Sequence, residues 1–141
     1  MVNNSEHPKH RLPPYKNGEP TEINNGGAPL YPLDQVKQIA VAAAIRLVTD
    51  KCINDLANKL TWDNDHVAHL FNQLTSANYY KSEWCRTNAN MYLPCDAYVL
   101  NRMEYIYAAQ KQLNCEYYVK FAVSTNGQLL LIVSCHMSEF R

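Results

Sequence analysis

The sequence predicts an α+β domain, with N-terminal helices packed on one face of a small, mainly antiparallel twisted sheet. Three observations carry this. Apolar residues recur at helical spacing between Asp34 and Leu74, alternating aromatic and β-branched residues dominate from Tyr79 onward, and the last thirty residues read as a hairpin folded about Thr125-Asn126-Gly127. Helices first and strands afterwards form two layers, so the helices cover one sheet face and leave the other open at least in part.

The 141 residues fit one domain with a real core. Six of the seven prolines and three of the four glycines lie within residues 1–32, which lack periodicity and read as an irregular arm. Residues 33–141 form the predicted single domain. Asp34 is the expected N-cap of a first helix to about Val48, with Val36, Ile39, Ala40, Ala43 and Leu47 on one stripe. Thr49 or Asp50 caps a second helix, with Ile53, Leu56, Ala57 and Leu60 at helical spacing. Asp63 caps a third, carrying Val67, Leu70, Phe71 and Leu74.

Tyr79–Thr87 alternates as a strand, with Tyr80, Ser82 and Trp84 on one side and Lys81, Glu83 and Cys85 on the other. Asp96–Leu100 is a short strand. Asn101-Arg-Met-Glu104 has the form of a capping box and predicts a helix to about Leu113. Glu116–Ser124 and Gln128–His136 close the sheet as a hairpin. A three-residue loop, with Gly127 in the left-handed conformation, opposes Ser124 to Gln128. Tyr117, Val119, Phe121, Val123, Leu129, Leu131, Val133 and Cys135 then share the apolar face. Glu116, Tyr118, Lys120, Ser134 and His136 share the other, with Ala122, Leu130 and Ile132 nearer the turn.

Lys plus Arg and Asp plus Glu both number 13, so binding of nucleic acid through a broad basic field is excluded, although a few aimed cations suffice for a small site. Five widely spaced cysteines with no C-x-x-C pair predict free thiols in a reducing compartment. The start lacks the apolar stretch of a signal peptide, and the best apolar window, Ile39–Val48, is short and interrupted by Arg46. A soluble, cytoplasmic protein with no membrane contact is expected. His66 and His69 lie three apart on a predicted helix, but no third ligand stands at a recognisable spacing, so no metal and no cofactor are expected.

Tyr79-Tyr-Lys-Ser82, Asp96-Ala-Tyr98, Tyr118-Val-Lys120 and Leu131-Ile-Val-Ser134 occur in the order seen in MqsR-type toxins of bacterial type II toxin–antitoxin pairs. Pro32-Leu-Asp-Gln-Val-Lys37 also resembles the start of that family's first helix. The resemblance covers roughly residues 31–138 and leaves out the arm, while Asn101–Leu113 looks like an insertion. It implies a RelE-like ribonuclease fold, metal-free cleavage of messenger RNA, and a cognate antitoxin as partner. The family's Lys, Gln, Tyr and second Lys fall on Lys81, Cys95, Tyr118 and His136. Two match and two depart: Cys95 cannot replace an amide's paired donor and acceptor, and His136 exchanges a fixed cation for a titratable group.

These residue types suit the chemistry. Metal-free RNA cleavage needs a proton taken from the attacking 2′-hydroxyl, positive charge at the phosphoryl oxygens, and a proton given to the leaving 5′-oxygen. Lys81 and Lys120 supply charge, His136 is the acid or base, and Tyr118 bonds the phosphate or stacks on a base. Thus Lys81, Tyr118 and His136 are the expected catalytic residues, and Lys120, Arg86, Cys95 and Ser134 the expected substrate contacts. Arg86 shares Trp84's face and would have to reach around. The bland rivals are a Lys81–Glu83 pair, a solvated sheet lysine at Lys120, a half-buried strand Tyr118 and a surface His136. On those terms the alternative function is a non-catalytic RNA- or protein-binding module on the same scaffold.

Overall fold

The structure, a computed structural model, describes residues 15–16, 19–87 and 91–140, with side chains placed for 21–87 and 91–138. In chain order these are β1 (Tyr15–Lys16), β2 (Glu19–Pro20), α1 (Leu33–Val41), β3 (Ile45–Leu47) and α2 (Asp50–Asn54), which continues as a π-helical turn over Asp55–Leu60. Then come α3 (Asn64–Gln73), a 3-10 turn (Ser76–Asn78), β4 (Tyr79–Arg86), β5 (Tyr92–Ile106), β6 (Lys111–Val123) and β7 (Leu130–Phe140). Strands 3 to 7 form one sheet in the order β3-β7-β6-β5-β4, with β3 parallel to β7 and all other pairs antiparallel. The α+β architecture expected from the sequence is the one that forms.

The helices bury their apolar faces on one side of this sheet. Val36 and Ala40 of α1 and Val67, Leu70 and Phe71 of α3 are fully buried, as is Leu74 just after α3; Phe71 meets Phe121 edge-on. Each of these side chains except the smaller Ala40 contributes about 1.5–3 kcal/mol of burial. Asp63 caps α3 as predicted, accepting from the Asp65 and His66 backbone N–H groups at 3.0 and 3.1 Å, and His66 Nδ1 accepts in return from the Asp63 N–H. Thr49 caps α2 through Cys52 N–H at 3.1 Å and donates its hydroxyl to the Val133 carbonyl at 2.7 Å, tying the helix to β7.

Several expected elements are replaced. The first helix stops at Val41, preceded by Pro32 as N-cap with no side-chain bond from Asp34. Ala43 adopts φ 56°, and Ile45–Leu47 then leaves the helix to pair with β7. A β-branched residue beside an unpaired strand edge gains more from the ladder than from another helical turn. In α2 the buried positions are Cys52, Asp55 and Leu56, while Ile53 and Ala57 face solvent, because the π-helical turn rotates the predicted stripe.

The helix predicted over Asn101–Leu113 does not exist. Residues 96–106 and 111–121 form one long antiparallel pair, in which Asn101 faces Glu116 and Ile106 faces Lys111. Packing overrides the local cap signal: the Arg102 guanidinium lies 4.8 Å from the Tyr117 ring centre and 5.5 Å from that of Trp62, and donates to Gln73 at 2.7 Å. Those contacts exist only if residue 102 is extended beside β6.

The C-terminal hairpin turns one residue later than predicted. Ser124 N–H bonds the Leu129 carbonyl, and Val123 faces Leu130. A bulge at Val133 then adds one residue to β7, so Lys120 faces Ser134 and Tyr118 faces His136. Near the turn, Leu130 and Ile132 therefore enter the core instead of Leu129 and Leu131, whereas the polar end keeps the predicted sorting.

The described part of the arm packs against the domain. Ile23 N–H bonds Ser82 O at 2.8 Å and Trp84 N–H bonds Thr21 O at 2.9 Å, which covers the outer edge of β4. The Asp96 carboxylate accepts from the backbone N–H groups of Leu30 and Tyr31, both at 3.0 Å, and from Ser82 Oγ at 2.6 Å. Residues 1–14, 17 and 18 of the predicted arm lie outside the described residues.

Candidate active site

Strand pairing lines up the open face in rows. One row runs Lys81, Ala97, Lys120, Ser134 across β4, β5, β6 and β7; the next runs Val99, Tyr118, His136. Neighbouring strands stand about 4.8 Å apart, so the small Ala97 is all that separates the two lysines. Glu83, two residues along β4 on the same face, closes the group. Its Oε1 lies 3.0 Å from Lys81 Nζ and its Oε2 lies 2.7 Å from Lys120 Nζ.

Burial sets the character of this triad. The Glu83 side chain is 7% accessible and that of Lys120 14%, whereas Lys81 keeps 32%. Burial pushes the Glu83 carboxyl up, but the hydrogen bond and charge of Lys120, joined by those of Lys81, outweigh it and hold the carboxyl below its usual range. Burial also opposes the Lys120 charge, yet Cys85 and the Glu83 bond outweigh it and raise the ammonium above its usual range. The Glu83 hydrogen bond likewise raises Lys81. Both ammoniums are therefore fixed cations at neutral pH, and Lys81 is the one that reaches solvent.

Beside the triad the Tyr118 and His136 rings stack with centres 5.3 Å apart, and the Tyr80 ring meets Tyr118 edge-on at 6.4 Å. Burial raises the Tyr118 phenol, so it remains a hydrogen-bond donor. Burial, and after it the Lys51 ammonium, lowers the His136 imidazole, so the ring is neutral at pH 7. The arrangement holds two cations, a phenol that donates and an imidazole that accepts a proton, side by side on one face. This is the equipment for activating a hydroxyl and stabilising an anion.

The structure thus brings together Lys81, Tyr118, Lys120, Ser134 and His136. Cys95 lies on the same face opposite Glu83 but is fully buried, its Sγ near the Leu93 carbonyl at 3.5 Å, and burial holds its thiol protonated. Arg86 is exposed at the end of β4, opposite Tyr92 and in alternation with Trp84. All five cysteines are free and buried. His66 is occupied by the α3 cap and His69 is exposed; no group of three metal-ligating side chains occurs among the described residues.

Sequence reasoning missed two members. Tyr80 was assigned to the face of Ser82, but one extra residue in β4 between Tyr79 and Lys81 turns it to the open side, 59% exposed. No local signal marks that bulge. Glu83 was read as a neighbour of Lys81 alone; its bond to Lys120 spans 37 positions and needs the sheet order to be visible. The shared face of Lys81 and Glu83 was the available signal.

Among the described residues no helix is long and apolar enough to cross a membrane. A comparison with curated protein sequences finds no significant match. The family described as "Motility quorum-sensing regulator, toxin of MqsA" matches residues 28–137, which span the last of the arm, every helix among the described residues and the paired strands of the main sheet up to Met137. With that match covering most of its length, and with the α+β fold the resemblance implied, the chain belongs to the MqsR toxin family of toxin–antitoxin systems.

Proposed function

We propose that this toxin is a metal-independent endoribonuclease of cytoplasmic messenger RNA, held inactive by a cognate antitoxin. The observation that supports it most is the single open face carrying Lys81, Lys120, Tyr118 and His136 in adjacent cross-strand rows. In this reading Lys81, with Lys120 behind it, meets the phosphoryl oxygens of the scissile phosphate. Neutral His136 takes the proton of the 2′-hydroxyl as that oxygen attacks phosphorus. The P–O5′ bond breaks, the 5′-oxygen is protonated by the Tyr118 phenol or by water, and a 2′,3′-cyclic phosphate remains. Ser134, opposite Lys120, adds a hydroxyl to the phosphate contacts. Arg86, at the strand end, bonds a phosphate farther along the chain, and buried Cys95 acts only by packing beneath the triad.

One observation favours the non-catalytic module: Glu83 occupies both ammoniums. Expression in a bacterial host separates the two readings. The parent should arrest growth, and Lys81→Ala, Tyr118→Phe and His136→Ala should each relieve the arrest at equal expression. Undiminished arrest by all three variants would sink the assignment.

A further inference from the structure

A second lysine–carboxylate–lysine group lies on the other side of the Tyr118–His136 stack. Asp55, at the start of the π-helical turn, is buried, with its side chain 5% accessible. Its Oδ2 lies 2.6 Å from Lys51 Nζ and its Oδ1 lies 3.5 Å from Lys59 Nζ, while those lysine side chains are 71% and 76% accessible. Pairs four apart on a helix surface are ordinary and contribute little. Here, however, the carboxylate sits inward beneath two outward ammoniums, so the group presents net positive charge to solvent.

Three independent features set this group apart from a solvated helix face. The ammoniums open onto a cleft of about 260 Å³ that is also lined by His136 and Met137. The backbone that holds Asp55 and Lys59 is π-helical from Asp55 to Leu60 and ends at Thr61 with φ 55°. Such turns are rare and concentrate at functional sites. Around the same three residues, Asn54 and Asn58 form a side-chain pair at 3.0 Å and border an adjoining cleft, adding amide donors.

We propose that Lys51 and Lys59, held by Asp55, form a second phosphate-binding subsite for single-stranded RNA, which seats the phosphate next to the scissile one. This rests on the ribonuclease reading for its substrate. The two lysine clamps flank the stacked rings, so an RNA strand crossing β6 and β7 meets a cation pair on each side of the imidazole. The buried carboxylates fix the ammonium positions without cancelling them.

The test uses the full-length protein and an oligoribonucleotide whose 2′-hydroxyls are methylated, so that it binds without being cleaved. Affinity is measured by fluorescence anisotropy at 50 and 200 mM salt for the parent and for the double variant Lys51→Gln, Lys59→Gln. Losing one neutralised phosphate on a single strand lowers the salt slope by about 0.7, so the parent's advantage over the variant should shrink about 2.6-fold between the two salts. With unmodified RNA the loss should fall mainly on KM. A triple variant that adds Asp55→Asn removes the buried charge together with its partners and should repeat the result, which excludes a folding defect. Equal salt slopes for parent and variants, with cleavage intact, would overturn the subsite and leave the ribonuclease reading standing. A parent that binds with the clamp-dependent slope but never cleaves unmodified RNA would support the subsite and overturn the ribonuclease reading.

Discussion

Glu83 is the keystone of the lysine group, and its coupling to Lys120 can be measured without reference to function. At 2.7 Å, with both side chains largely out of water, the pair's gross attraction is about 6 kcal/mol at an effective dielectric of about 20. Desolvation of both charges offsets much of that. Removing Lys120 leaves the buried Glu83 carboxylate only partly compensated, at a cost of about 3 kcal/mol, the low end of the usual range because Lys81 still bonds it. Lys120→Met should therefore destabilise by about that amount, and Glu83→Gln, which leaves both ammoniums without their carboxylate, by about 4 kcal/mol. The double variant should be much less unstable than the sum, with a coupling of about 2 kcal/mol. Urea unfolding of the four proteins at pH 7 reads this directly. Losses that add to within about 0.5 kcal/mol would refute the claim that Glu83 and Lys120 act as one desolvated unit.

Other consequences follow from the same geometry. His136→Ala should lower the cleavage rate by about two to four orders of magnitude, and a variant as fast as the parent would return the histidine to the surface. Because the fold holds the imidazole below its ordinary range, it favours the neutral ring; the associated stability is complete above about pH 6.5 and is lost as pH falls through the folded value. Between pH 7.5 and 5 the parent should lose more stability than His136→Gln, and equal losses would contradict the burial argument. Asp96→Ala removes three hydrogen bonds that hold the Leu30–Tyr31 segment and Ser82, and should cost about 3 kcal/mol. Hydrogen exchange should quicken selectively at the Leu30 and Tyr31 amides; protection equal to the parent's would show that other contacts hold that segment.

The layer order, the three helix positions and the polar end of the final hairpin were legible because each rests on local periodicity. The Asp63 cap and the stripe Val67, Leu70, Phe71, Leu74 need only the α3 sequence. The shared face of Tyr118 and His136 survived an incorrect loop length because the bulge at Val133 restored the alternation, although the register pairs Tyr118 with His136 instead of the expected Ser134. What failed depended on distant partners. Asn101–Leu113 has helical cap chemistry, but Arg102 becomes a strand residue by stacking on Trp62 and Tyr117. Ile45–Leu47 leaves the helix for a β7 edge 85 positions later. Of the site, Lys81, Tyr118, Lys120 and His136 were visible through alternation and resemblance. Tyr80 depended on a bulge, and Glu83 on the meeting of β4 with a lysine two strands away.

The most direct measurement is digestion of a defined RNA by the purified protein in excess chelator, with analysis of the ends produced. Cleavage should persist without divalent metal, leave a 2′,3′-cyclic phosphate upstream and a 5′-hydroxyl downstream, and fail where the 2′-hydroxyl is replaced by hydrogen. Cleavage that stops on chelation, or that cuts the 2′-deoxy position equally well, would contradict attack by the 2′-hydroxyl under Lys81, Tyr118 and His136.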